Sequence, residues 1–189
     1  ESGSTMAFGN YGLLLGVILI VAGFGFKISS VPFHMWVPDV YQGAPTPITA
    51  FLSVASKAAG FAVILRVFYG SFASENLSIE WSMIFAIMAV LSMAIGNFVA
   101  IAQKKMKRLL AYSTIAHAGY MMMGLTVVSS RMENFTFDGP AGVVFYLIGY
   151  AATNLAAFVA VIAISNKTGS DSIEDLAGLG RRAPALALC

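Results

Sequence analysis

Two lysines and a histidine lie in stretches of this sequence that are otherwise apolar. Lys27 ends the uncharged stretch from Ser2 to Phe26, Lys57 interrupts the apolar stretch from Val40 to Leu65, and His117 interrupts a third. A charged side chain at the centre of a bilayer costs about 2.5–3.5 kcal/mol on insertion scales. Ionisable residues inside a membrane therefore mark candidate paths for ions or protons.

The composition is that of a membrane protein. The chain is 58% hydrophobic and only 11% charged, whereas soluble domains are about 45–50% apolar and about 25% charged. The mean hydropathy of +0.80 agrees with this. No basic patch suits a nucleic acid, so the expected surroundings are the lipid bilayer and other membrane proteins. The chain lacks an initiator Met and stops in an apolar stretch, so we expect an internal piece of a longer protein.

Five segments are long enough to span a bilayer, which takes about 20 apolar residues. We call them helices A to E, and they cover about Tyr11–Ser29, Pro47–Phe68, Trp81–Gln103, Leu109–Ser130 and Pro140–Ser165. A sixth span is expected to start near Pro184. The predicted fold is all-α: a polytopic transmembrane helix bundle that forms one domain over residues 1–189.

Charge placement predicts the orientation of the bundle. The loop between helices C and D carries four cations between Lys104 and Arg108, and Lys167 and later arginines follow helix E. The loop between helices B and C carries Glu75 and Glu80 without a Lys or Arg. The positive-inside rule therefore places the basic loops in the cytoplasm and the start of the chain outside.

Helix A is predicted to be broken. The segment from Lys27 to Pro47, with Pro47 included, contains four prolines and a glycine, and proline removes a backbone donor and clashes with the preceding turn. One solution is a first helix to about Ser29, a break, and a half-helix from about Phe33 to Tyr41. Broken helices of this kind mark ion sites in transporters. The alternative is an ordinary cytoplasmic loop with a surface turn.

Helix geometry places the ionisable residues near the middle of the bundle. Lys57 follows Pro47 by ten residues, or about 15 Å, and His117 follows Leu109 by eight, or about 12 Å. Burial disfavours the charged form of an amine, and an unperturbed histidine already titrates near neutral pH. Water could therefore link the lysines and the histidine into a proton relay. The hydroxyl residues that could anchor such waters are Ser29, Ser53, Ser56, Ser113 and Thr114.

Each of these residues also has a purely structural interpretation. Lys27 could extend its amine to an interface, and Lys57 could form an ion pair with a carboxylate outside this piece. His117 could make a satisfied helix–helix hydrogen bond. His34 could cap or pin the break, and Asp39 could cap the half-helix or pair with a cation.

Long motifs in this chain match a known family. They are FKISSVPFHMWVPDVYQGAPTP from Phe26, FLSVASK from Phe51, KRLLAYSTIAHAGY from Lys107 and DLAGLGRRAP from Asp175. With them the chain resembles the subunit N family of bacterial respiratory complex I, the proton-pumping NADH:quinone oxidoreductase. The resemblance covers nearly the whole chain.

The resemblance implies specific roles. It makes helix A the discontinuous helix, Lys27 the central proton-carrying lysine and Lys57 its connecting partner. The family also uses a glutamate on an earlier helix and a lysine on a later broken helix, and neither lies in this chain. No cofactor is expected in this chain itself, since NADH, flavin, iron–sulfur clusters and quinone would be bound elsewhere in the complex. The implied partners are other membrane subunits of complex I, and the implied location is the bacterial inner membrane.

Two alternatives stay open. One is a subunit of a Mrp-type sodium/proton antiporter, although Ser56 directly before Lys57 favours subunit N. The other is a structural membrane scaffold, which predicts that neutralising Lys27 and Lys57 leaves activity intact.

Overall fold

The chain folds into a bundle of helices. The computed structural model describes residues 2–72, 75–127 and 139–184. The helices are α1 (Ser2–Ile28), α2 (Trp36–Gly43), α3 (Thr46–Gly70), α4 (Glu75–Ile101), α5 (Met106–Thr126), α6 (Gly139–Thr168) and α7 (Leu179–Arg182), with a 3-10 turn at Glu174–Leu176. The all-α prediction is confirmed. The predicted end of helix D at Ser130, the loop that follows it and the sixth span beyond Pro184 lie outside the described residues.

The predicted break in helix A is present. Helix α1 ends at Ile28, and the next helix, α2, begins at Trp36, which is later than the expected Phe33. The residues between them form turns, and the Val31–Pro32 peptide bond is cis. Helix α3 then begins at Thr46 with proline in its first turn, where a missing N–H costs nothing.

Helix α5 lies inside the bundle and packs most extensively against α4. Small residues allow this approach. A Cβ added to Gly96 would lie 2.7 Å from the backbone nitrogen of Ala116, and one added to Gly119 would lie 2.8 Å from the carbonyl oxygen of Ala89. These two close approaches help to set the axial position of α5 against α4, and therefore the position of His117 on α5.

Among the described residues, four helices are long and apolar enough to cross a membrane: Tyr11–Ile28 within α1, α3, Trp81–Ile101 within α4, and α6. The fifth predicted span, α5, is not among them. Along α5 only Met123 is exposed, because neighbouring helices surround it. A helix enclosed by protein does not need an apolar surface on every side, which accounts for its lower hydropathy. A membrane crossing by α5 stays a prediction.

Ion pairs join three segments at one end of the bundle. Arg108 at the start of α5 donates to Asp39 Oδ1 of α2 at 2.8 Å. Lys107 Nζ lies 3.2 Å from Asp171 Oδ2 in the segment after α6. The half-helix, the start of α5 and the segment after α6 therefore meet on the same side, as alternating membrane crossings require.

Candidate functional site

At the break, α1 ends in a standard C-terminal motif in which serine occupies the position that is usually glycine. Ser29 adopts a left-handed conformation with φ of 67°, a position that glycine usually fills. The N–H of Ser30 donates to Gly25 O at 2.9 Å, and the N–H of Ser29 donates to Phe26 O at 3.2 Å. This pair of hydrogen bonds is the Schellman motif, and it satisfies two of the last carbonyls of α1.

The carbonyl of Ile28 receives no backbone hydrogen bond from the described residues in this arrangement. Its regular donor would be the N–H four residues further on, but that residue is Pro32, which has no N–H. Lys57 takes the vacant place, because its Nζ donates to Ile28 O at 2.9 Å. Lys57 is 1% exposed, so the ammonium lies at the negative end of the α1 dipole, where a cation is stabilised.

Further contacts hold the turns of the break. The N–H of Val31 donates to Ser92 Oγ of α4 at 2.9 Å. The Trp36 indole N–H donates to Phe26 O at 3.2 Å, and the two rings stack with centroids 5.3 Å apart. His34 is buried in the same segment, and its Nδ1 has no hydrogen-bond partner among the described residues. The segment is thus fixed to α1 on one side and to α4 on the other.

Lys27 does not join Lys57 inside the described part of the bundle. Its side chain is exposed, and no carboxylate of the described residues lies within 4.0 Å of its amine. The stem of Lys27 passes over α3 beside Gly60, where an added Cβ would lie 3.8 Å from Lys27 Cγ. The Lys27 stem thus lies beside Gly60, three residues beyond Lys57 on α3, and the described contacts do not join the two amines. Their convergence through water stays a prediction.

A cluster of polar side chains links α3, α5 and α6. Asn154 Nδ2 donates to Ser53 Oγ at 2.6 Å, and the Tyr150 hydroxyl donates to Ser53 O at 3.2 Å. The same hydroxyl lies 3.2 Å from Thr114 Oγ1. Ser53 and Thr114 are fully buried. Ser53 is one helical turn from Lys57, so this cluster provides polar groups beside the buried amine.

His117 is surrounded by tyrosines. Its Nδ1 is 2.7 Å from the Tyr146 hydroxyl. The rings of Tyr120, Tyr146 and Tyr150 have centroids 5.6, 5.9 and 5.1 Å from the His117 ring. Lys57 on α3 is among the charged groups near the imidazole. The described residues therefore place His117 beside Tyr150, whose hydroxyl belongs to the polar cluster around Ser53, one helical turn from Lys57.

Asp39 lies away from this site. Its carboxylate pairs with Arg108, and the Asp39 side chain is 76% exposed. Arg108 also donates to Gln42 Oε1 at 3.1 Å. These contacts hold the half-helix against α5 at one end of the bundle. An exposed, paired carboxylate there has no route to the buried amine of Lys57 through the contacts described.

The tyrosines and the asparagine of α6 were not predicted from the sequence, although a signal was available. Tyr146, Tyr150 and Asn154 are spaced by four residues. That spacing puts them on one face of a helix. A polar stripe on an otherwise apolar membrane helix indicates contact with other polar groups.

The arrangement is suited to moving protons. Within residues 2–72, 75–127 and 139–184, no group of three or more His, Cys, Asp or Glu side chains could hold a metal ion. The groups that come together are an amine, an imidazole, hydroxyls and an amide. Amines and imidazoles take up and release protons, while hydroxyls and amides anchor water.

Comparison with known proteins identifies the family of this chain. The chain matches the family described as NADH:quinone oxidoreductase/Mrp antiporter, TM over residues 2–189. It is 51% identical over 177 residues to NADH-quinone oxidoreductase subunit N of Dehalococcoides mccartyi, covering 93% of this chain and 36% of that protein. The chain thus spans about a third of the length of this relative.

Two solved structures share the fold. A chain of respiratory complex I from Thermus thermophilus matches with a TM-score of 0.70 and 39% identity, covering 92% of this chain and 35% of that one. The Mrp complex from Dietzia matches with a TM-score of 0.78 at 22% identity, covering 93% of this chain and 31% of that one. With its apolar spans, this is a multi-pass membrane protein, and it belongs to the NADH:quinone oxidoreductase/Mrp antiporter transmembrane family.

Proposed function

We propose that this chain forms part of a proton path in a subunit N type membrane subunit of NADH:quinone oxidoreductase. In this proposal Lys57 and His117 relay protons inside the bundle, and Lys27 exchanges protons with Lys57 at the break in α1. NADH, flavin, iron–sulfur clusters and quinone act elsewhere in the complex, and the partners are its other membrane subunits in the bacterial inner membrane.

One observation carries the proposal. Lys57 is 1% exposed, and its amine bonds to a backbone carbonyl instead of a carboxylate among the described residues. A buried cation without a counter-charge is costly, so such a group readily gives up its proton. A structural ion pair would instead hold the charge permanently. The absence of a carboxylate partner in the described part of the chain therefore favours a group that alternates between two protonation states.

The likeness to complex I supports this reading over a sodium/proton antiporter. The relative of 51% identity is a quinone oxidoreductase subunit. The match to the Mrp complex, at 22% identity, concerns the fold alone. Neighbouring genes for other quinone-reductase subunits would argue in the same direction.

The test is proton pumping by the whole complex. Lys27→Ala and Lys57→Ala in the full-length subunit should lower NADH-driven proton flux in vesicles that hold equal amounts of assembled complex. Lys57→Arg should not restore the flux, because a guanidinium with a pKa above about 12 does not release its proton. His117→Ala should have a milder effect, since water can bridge the gap that it leaves.

The matched control is Arg66→Ala, because Arg66 is an exposed cation on the same helix as Lys57. It should pump at the wild-type rate. If both lysine variants also pump at the wild-type rate and stoichiometry, the relay is wrong and the structural scaffold takes its place.

A further inference from the structure

We propose that Tyr146 is a positioning residue for His117, an inference that rests on the proton path above. Its hydroxyl lies 2.7 Å from His117 Nδ1, at the short end of hydrogen-bond distances. Among the described residues the Tyr146 hydroxyl makes no other hydrogen bond. The Tyr146 hydroxyl is therefore available to hydrogen-bond His117 alone.

The other two tyrosines around the ring are engaged elsewhere. The Tyr150 hydroxyl donates to Ser53 O, and the Tyr120 hydroxyl accepts from Asn97 Nδ2 at 3.1 Å. Their rings contact His117 at 5.1 and 5.6 Å without a hydrogen bond to it in the described structure. They pack against the imidazole, whereas Tyr146 holds one of its two nitrogens.

The hydrogen bond at Nδ1 determines the protonation state of Nε2 in the neutral ring. When Nδ1–H donates to the Tyr146 oxygen, the neutral ring keeps its lone pair on Nε2. An incoming proton forms a bond to Nε2, giving the imidazolium, and later leaves from the same nitrogen. The Nδ1–H bond to Tyr146 persists in both states, so Tyr146 never ionises and the ring does not have to turn. His117 can then carry a proton without losing its orientation.

Among the charged and titratable groups around His117, Tyr146 is the one that hydrogen-bonds the ring in the described structure. They are Tyr120 on the same helix, Tyr146 and Tyr150 from α6, and Lys57 from α3. No carboxylate of the described residues hydrogen-bonds or pairs with the ring. The phenol oxygen of Tyr146 is therefore the acceptor that stabilises the imidazolium.

The experiment compares four variants of the full-length subunit in the assembled complex: Tyr146→Phe, His117→Ala, the double variant, and Tyr120→Phe as the matched control. The measurement is NADH-driven proton flux in vesicles as a function of pH. A hydrogen bond of typical net strength corresponds to about 2- to 12-fold in rate. Tyr146→Phe should slow the flux within that range and displace its pH profile, while Tyr120→Phe changes neither.

The double variant separates positioning from packing. If Tyr146 acts through His117, Tyr146→Phe should have no further effect once His117 is alanine. Multiplied effects in the double variant would overturn the inference, as would a Tyr146→Phe enzyme with wild-type flux and pH profile beside a slow His117→Ala enzyme. If His117→Ala itself pumps normally, His117 leaves the proposed path and this inference fails with it. Normal pumping by the lysine variants would be the separate failure of the path as a whole.

Discussion

Replacing Gly60 with alanine is expected to strain the contact that supports the break in α1. The new Cβ would lie 2.7 Å from Ile28 Cγ2, whereas carbon atoms pack best at about 3.5–4.0 Å. Ile28 is fully buried, and a β-branched side chain has few other rotamers available. The backbones must therefore separate by about 1 Å, and the carbonyl that accepts the Lys57 hydrogen bond moves with Ile28.

The size of the effect follows from two opposing contributions. Overpacking a buried site costs about 1–3 kcal/mol, while alanine is about 1 kcal/mol better than glycine inside a helix. A control at Gly149 separates them, because an added Cβ there has no atom within 4 Å among the described residues. Gly149→Ala should therefore show only the gain in helix stability that alanine brings. The two variants should therefore differ by about 1–3 kcal/mol in the free energy of unfolding, and by more if the Lys57 bond is also weakened.

The assay is thermal unfolding of the full-length subunit in detergent, followed by circular dichroism at 222 nm. Gly60→Ala should melt at or below the wild type, and Gly149→Ala should melt above it. Equal melting of the two variants would show that α1 and α3 do not meet closely at this point. The support for the Lys57–Ile28 geometry would then be lost.

Two further predictions concern the ends of the bundle. In intact cells that express a subunit without other accessible cysteines, an impermeant thiol reagent should label Glu75→Cys and spare Lys105→Cys; the reverse labelling would overturn the orientation. The Arg108–Asp39 pair, with its exposed carboxylate, should contribute less than about 1 kcal/mol in a double-mutant cycle with Arg108→Gln and Asp39→Asn, and less still at high salt. A coupling of several kcal/mol would mean that this pair is buried in the working protein.

The sequence was most informative about the break. Proline chemistry alone predicts that α1 cannot continue through Pro32, and the structure ends the helix at Ile28. The start of α2 at Trp36 was not predictable at that level. The turns that precede α2 include the hydrogen bond from Val31 to Ser92, and Ser92 belongs to a helix far along the chain.

The sequence also predicted the burial of Lys57, because its depth follows from the helical rise. It could not predict the partner. Which carbonyl receives the amine depends on how closely α1 approaches α3, and that approach depends on the absence of a side chain at Gly60. The exposure of Lys27 among the described residues could not be predicted for a related reason. A helix that ends in the middle of a bundle turns its last residues to different sides, and spacing along the chain does not say which side is inside.

Lys57 is nevertheless connected to the backbone next to Lys27 by a hydrogen bond. Lys57 bonds to the carbonyl of Ile28, and Ile28 is the residue after Lys27. A hydrogen bond from a charged donor is roughly twice as strong as one between neutral groups, so this bond weakens whenever Lys57 gives up its proton. The last turn of α1 then loses part of what holds it to α3, and the backbone of Lys27 belongs to that turn. We therefore expect a change of charge on Lys57 to act on the position of Lys27 without direct contact between the two amines.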